Sequence, residues 1–375
     1  MTTTSEALRE LRRPETIRER CETILRAGIG GELEHFSIRL ERLPEVAREV
    51  AAVTLSTYPD RRVPFHGRFR HFQAGGVDRL RLLEDRLEGL SEEEKLLSRV
   101  ELAIASVLLD AGAGADWRYR EEDSGLLFSR SEGLAVASFH MFLDGAFSHE
   151  TDRPLQATTE GLSAITTEKL GRSFQAGAEN ALVGIEGRAQ LIRSLSQASD
   201  VRLGRFCDFH REEISAREIL AAVLERMNLE DVWPHPKAGL VPFHKLSQWL
   251  TYSLIEPLSI AGVRVSGIEA LTGLAEYRNG GLFLDLGVLE PKHAAVIEET
   301  HPPSSEVVVE WRALTVALLD RLAPLVRKEL DMDKDSLPLA KILEGGTWRA
   351  GREVAERLRP GGAPPIKVSS DGTVF

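Results

Sequence analysis

Apolar positions in this chain recur mostly three and four residues apart, the spacing of helices with one buried face. Pro14–Ala27 opens on a proline, carries Ile17, Cys21, Ile24 and Leu25 on one stripe, and is stopped by Gly28. Leu43–Tyr58 places Val46, Val50, Val53 and Thr57 on one face. Gly76–Gly89 and Ser91–Ala111 follow as helices. Ser91 with Glu94 three residues on is a capping box, and the apolar run Val100–Leu109 predicts a buried far half. Trp117–Ser131 alternates around Ser124-Gly125 and predicts a hairpin. Helical patterns resume over Ser131–Leu143, Ala157–Phe174, Ile185–Leu195 and Ser215–Met227, the last with Ile219, Leu220, Val223 and Met227 facing inward. Leu229–Gly239 holds Pro234 and Pro236 and predicts a turn.

Pro242 and Pro257 bracket the next predicted helix. Leu246, Leu250 and Leu254 make one apolar stripe; Lys245, Trp249, Tyr252 and Glu256 make a second beside it. A cation, two aromatics and an anion on one stripe suit the wall of a polar pocket, or a half-exposed face whose charges reach water. Beyond Gly287 comes one short helix, and then Ser304 or Ser305 caps a long helix to about Leu330, kinked near Pro324. Leu337–Leu358 is helical, broken at Gly345-Gly346-Thr347-Trp348. The tail from Ile366 adds a short strand or tucks into the body. The pattern predicts a mainly α, multi-helix globular fold with a few short strands or hairpins, and nothing alternates as a parallel sheet does. Residues 1–13 are expected to be a flexible leader. Residues 14–375 then form one large helical domain, or two tightly packed lobes divided near residue 150.

Composition narrows the classes. The 375 residues carry 47 basic and 58 acidic side chains, a net charge of −11. Such a chain, without a basic run, is a poor partner for nucleic acid or an anionic membrane. Its two cysteines, Cys21 and Cys207, exclude a disulfide framework and a multi-cysteine zinc site, and fit a reducing, cytoplasmic setting. The N-terminus lacks the apolar core of a secretory signal, and no apolar run is long enough to span a membrane.

Candidate chemistry concentrates in a few clusters. Glu276-Tyr277-Arg278-Asn279-Gly280-Gly281 sits between apolar segments and reads as a helix end opening into a tight turn. The alternative is a surface Glu–Arg pair at a glycine-terminated helix. His66, Arg68, Arg70 and His71 alternate with Phe65, Phe69 and Phe72 before Gly75-Gly76, a set able to hold a phosphate or carboxylate, or to cap helix ends. Asp110 follows an apolar run and needs a partner if buried. Glu310 and Arg312 are the only charges from Val307 to Leu319; Glu276 and Arg278 are plausible partners, a structural ion pair the alternative. Gly112-Ala113-Gly114 is no dinucleotide fingerprint, since no strand precedes it. The histidines and cysteines give no metal set, and no cofactor is expected.

Eight stretches, taken in order, carry a resemblance: RFRHFQAGGVDR, LLDAGAGADWRYRE, RSEGLAVASFHMF, LVPFHKLSQWLTYSLIEP, LTGLAEYRNGGLF, EWRALTVALLDRLAP, LEGGTWRAG and the terminal SDGTVF. With them the chain resembles, over nearly its whole length, the uracil catabolism protein 4 family, also called the uracil-regulated protein 3 family. That family is associated with a route degrading uracil through a ribosylated urea, beside a cyclohydrolase-like enzyme and urea-degrading enzymes. A more distant resemblance is to the queuosine-salvage N-glycoside hydrolases, all-helical proteins related in fold to helical DNA glycosylases. Their Ala-Asp-Tyr-Arg motif is similar to Ala275-Glu276-Tyr277-Arg278, their Lys-x-x-Gln to Lys245–Gln248, and their core helix to Glu306–Arg312. Glu276 stands where they have aspartate, and Ser253 where they have a second aspartate.

The resemblance implies a nucleotide-sized pocket and a metal-independent N-ribosyl hydrolase acting on a ribosyl or phosphoribosyl compound. Glu276 would be the carboxylate beneath the sugar, with Asp110 or Glu256 assisting the leaving nitrogen. Lys245, Arg278 and Arg312 would meet a phosphate, Phe243, Trp249 and Tyr277 would pack on the base or ureido group, and His244 and Glu310 complete the expected binding set. Other enzymes of uracil catabolism are possible partners. The other reading is a non-catalytic nucleotide-binding partner of the ring-opening enzyme.

Overall fold

The computed structural model describes residues 4–114 and 116–369, and is mainly helical, with only short strands. The helices on which the site depends are α1 (Thr4–Leu11), α2 (Pro14–Ile29), α3 (Leu43–Thr57), α4 (Glu92–Leu108), α5 (Lys245–Ile260), α6 (Tyr277–Asp285), α7 (Glu306–Leu330) and α8 (Trp348–Leu358). No helix among the described residues is long and apolar enough to cross a membrane.

The chain forms two compact units. Among the described residues the first comprises 4–66, 230–248 and 267–369, and the second comprises 67–114, 116–229 and 249–266.

The first unit is built on α7. This helix is apolar almost all round, so it is stable only in a core, and Val307–Leu319 is buried throughout. Ser305 accepts the Val308 N–H as its N-cap, and Asp331, in the left-handed region, ends it. The helix runs continuously through Pro324 and packs against α2 and α3. α6 and α8 lie beside one another in this unit. Three two-stranded pairs tie the loops: Phe36–Ile38 with Leu289–Pro291, Val232–His235 with Gly239–Pro242, and Thr300–His301 with Lys367–Val368.

In the second unit α4 is the buried core helix, opened by the Ser91–Glu94 capping box as expected. The Tyr119–Arg120 and Leu127–Phe128 strands pair across the Ser124-Gly125 turn. Glu213–Ser215 pairs in parallel with Arg264–Ser266.

Several expectations are corrected by tertiary contacts. The leader is not loose from Thr4 onward: α1 is helical, and Arg12 pairs with Glu230 at 2.5 Å. Its first residues, and the end of the tail beyond Ser369, lie outside the described residues. Pro242 ends a strand rather than starting a helix, because the hairpin uses it opposite Val232. The predicted turn at Leu229–Gly239 is therefore half of a hairpin. Pro257 lies inside α5, which continues to Ile260. Ala157–Phe174 is two short helices, each with its own threonine cap, Thr158 and Thr166. The glycines after Leu343 do not break the C-terminal helix but pass it through a π turn, Leu343–Thr347.

Candidate functional site

In the first unit the site grows from Asp231, a residue with no local signal in the chain around it. Asp231 is buried and holds Arg312 in a two-point ion pair at 2.8 and 2.5 Å. Burial alone would push its pKa up; the Arg312 charge and its donated bonds more than offset this and hold it below the usual carboxylate range. The same carboxylate accepts the Trp233 indole N–H at 2.6 Å and the Lys245 N–H at 3.2 Å. Its backbone carbonyl accepts Phe243 and His244 N–H. The chain must turn sharply here to enter α5, and His244 sits at φ 46°, a rare angle for a side chain other than glycine.

Arg312 carries this order across to the second loop. Its guanidinium lies 4.2 Å over the Phe243 ring, and its Nε donates to the Ala275 carbonyl at 3.4 Å. Gln248 straps the same two segments: it donates to the Phe243 carbonyl at 3.0 Å and accepts the Thr272 N–H at 2.8 Å. Lys245 and Glu276 are thus held at the starts of two helices by one buried network.

Glu276 is the N-cap of α6. Its two carboxylate oxygens accept the N–H groups of Arg278 at 2.7 Å and Asn279 at 2.6 Å. The local pattern predicts a helix end here; the cluster is instead a helix start, and Gly280-Gly281 lie inside the helix. A Cβ on Gly280 would come within 2.6 Å of the Trp311 indole nitrogen, so the helix can approach α7 only with glycine there. Burial pushes the Glu276 pKa up, while the two backbone bonds and the Lys245 and Arg278 charges pull it down; burial prevails. The result is a rigid, half-buried carboxylate with cationic neighbours and an elevated pKa.

The remaining expected residues of this unit hold the frame. His244 is fully buried: its Nδ1 accepts the Asp231 N–H and its Nε2 reaches the Leu11 carbonyl at 3.0 Å. Its ring cannot reach a ligand without losing both. Arg278 donates to the Gly362 carbonyl at 3.0 Å and stacks 4.8 Å over Tyr277. Glu310 and Arg312 do not pair with Arg278 and Glu276. They point to opposite sides of α7, Arg312 to Asp231 and Glu310 to the N–H groups of Glu34 and His35.

His235, Glu306 and Glu310 bring three possible metal-ligand atoms within 4.8 Å. The Lys237 N–H aims at His235 Nδ1 at 3.2 Å. With Nδ1 accepting, the neutral ring carries its proton on Nε2, which lies 3.9 and 3.6 Å from the two carboxylates without a hydrogen bond to either and has no lone pair there to share with a metal.

A family model described as "Protein of unknown function (DUF1688)" matches residues 10–234 and 220–375. This chain belongs to that family. Among curated relatives, "Protein urg3" of Schizosaccharomyces pombe is 39% identical over 99% of this chain and 100% of its own length. "Uracil catabolism protein 4" of Lachancea kluyveri is 33% identical over 92% of this chain and 93% of its own length.

In this family member the other expected site residues, Asp110 and Trp249, belong to the second unit. Asp110 finds the partner its burial requires: Arg68, fully buried, at 3.0 Å, with Ser131 donating to it at 2.5 Å. Arg68 also donates to Ser106 at 2.7 Å, and its backbone N–H to Ser253 at 3.1 Å. Arg188 caps the end of α4 through the carbonyls of Leu109, Ala111 and Gly112. Trp249 is buried 5.8 Å from the His71 ring, and Glu256 pairs with Arg70. Of the stripe Lys245–Trp249–Tyr252–Glu256, only Lys245 belongs to the first unit, although α5 runs through all four.

Proposed function

We propose that this protein takes part in uracil catabolism as an N-ribosyl hydrolase, cleaving the N-glycosidic bond of a ribosylurea-like or nucleotide-like intermediate. The pathway is supported by the name of the relative "Uracil catabolism protein 4". The observation that carries the reaction is Glu276, a carboxylate fixed by two backbone N–H groups and lifted in pKa by burial.

Breaking such a bond builds positive charge on the ribosyl carbon as the nitrogen leaves with the electron pair. A fixed carboxylate stabilises that charge and takes the proton of the attacking water. The two N–H groups occupy one lone pair on each oxygen and leave the outer lone pairs for this work. The Lys245 ammonium, which acts on Glu276 electrostatically, suits an anionic group on the substrate such as a phosphate. Asp110, engaged with Arg68, has no part in this scheme.

The test is turnover of ribosylurea and its 5′-phosphate by the purified, chelator-treated protein, with urea and ribose followed by mass spectrometry. Urea release that disappears in Glu276→Gln is expected. A protein that binds these compounds without turnover would instead be a non-catalytic partner of the ring-opening enzyme.

A further inference from the structure

The function above leaves out the stretch Leu343–Trp348, where the helix widens into a π turn. Such turns are costly and often mark functional positions. Here the turn presents Glu344. Its Oε2 lies 2.7 Å from His66 Nδ1, and its Oε1 accepts the Tyr58 hydroxyl at 3.2 Å. Little of either side chain is exposed, 5% of His66 and 15% of Glu344. The platform is rigid. A Cβ on Gly346 would come within 2.4 Å of Val50, and one on Gly345 within 2.9 Å of Val63, so the turn is pressed against α3. The His66 N–H bonds the Ala340 carbonyl at 3.1 Å, fixing the backbone from which the imidazole projects.

The position of this pair follows from two contacts between α8 and α6. Gly351 lies against the Arg278 carbonyl, where a Cβ would be 2.2 Å away, and Arg359 grips Asp285 at 2.7 and 2.6 Å. The two helices therefore run in the same direction, in one register. Carried back, that register brings Trp348 level with the start of α6, where Glu276 is the cap. The π turn itself also packs on α6, and the Trp348 and His66 rings are 6.4 Å apart.

We propose that His66, oriented by Glu344, is the proton donor to the leaving nitrogen at the Glu276 site, an assignment that rests on the N-ribosyl hydrolase reading. The C1′–N bond breaks with its electron pair passing to nitrogen, and His66 Nε2 supplies the proton that nitrogen takes up. Water oxygen bonds to C1′ and its proton passes to Glu276; solvent then returns both groups to their starting states. Glu344 is a positioning residue. It holds Nδ1 as a donor, so that proton exchange falls to Nε2.

The experiment compares ribosylurea, whose leaving group needs a proton, with 4-nitrophenyl β-ribofuranoside, whose leaving group does not. General acids contribute roughly 10²–10⁴-fold. His66→Gln is expected to lose about 10²-fold or more on ribosylurea and only a few-fold on the aryl riboside. Glu344→Gln should lose less with the same selectivity, and Glu276→Gln should fail on both. Aryl riboside cleavage by the same preparation reports that the variant is folded. If the wild type takes ribosylurea alone, recovery of His66→Ala by added imidazole replaces the comparison. Unchanged ribosylurea turnover in His66→Gln, equal losses on both substrates, or no imidazole recovery would overturn the assignment while leaving Glu276 in place. A wild type inert on both compounds would overturn the hydrolase reading, and this assignment with it.

Discussion

Asp231→Asn removes one charge from a buried ion pair of the first unit. The guanidinium of Arg312 keeps its place, 1% exposed, and loses the Asp231 charge that faces it. Breaking such a pair from one side costs about 3–5 kcal/mol, because the surviving charge stays desolvated. For a cooperative unit of roughly 185 residues that is a fall in Tm of about 8–13 °C, since unfolding entropy is roughly 2 cal/mol/K per residue. The asparagine can still accept from Trp233 or from the Lys245 N–H, but not with two equivalent oxygens. The double variant Asp231→Leu/Arg312→Met separates stability from function. Replacing both partners by apolar side chains of similar volume is often neutral, so most of the lost stability should return. The Lys245 N–H and the Ala275 carbonyl, however, lose the groups that hold them. Urea denaturation followed by circular dichroism, beside turnover of ribosylurea, reads both effects. A loss below about 1 kcal/mol in Asp231→Asn, the range of a surface pair, would refute the energetic argument. Full activity in the double variant would refute the claim that this network positions Lys245 and Glu276.

Three further outcomes follow from the same contacts. Glu276 has a folded pKa raised by burial, so its contribution to stability is fully present below the unfolded value of about 4.3 and is lost as pH rises through the folded value. Thermal melts from pH 4 to pH 7 should therefore show Glu276→Gln gaining on the wild type as pH rises; a constant difference would contradict the raised pKa. Gly351→Ala puts a methyl group 2.2 Å from the Arg278 carbonyl, and should cost about 1–3 kcal/mol in chemical denaturation as α8 is pushed from α6. Ser305→Ala removes the N-cap of α7 and should cost about 1 kcal/mol, measured the same way.

The helices were legible in the sequence wherever the apolar period was long and the cap local. Ser91 with Glu94, the Ser124-Gly125 turn and the all-round apolar α7 needed only their near neighbours, so the residue pattern determined them. The mainly α class follows from the same local rules. So does the singling out of Lys245 and Glu276, as charges set in apolar sequence. What the pattern misread depended on partners far away in the chain. Pro242 favoured a helix start until a strand took it up, and Glu276 resembled a helix end until its side chain capped the next turn. The glycines at 280, 345 and 346 resembled breaks; they are places where one helix presses against another. Asp231 carries no local signal at all, because its importance lies in Arg312, 81 residues further on. Sequence alone determined which segments are helical, since helix formation and capping are short-range. Tertiary structure decided which charges meet, because burying a charge is tolerable only beside a partner, and the partner is chosen by the fold.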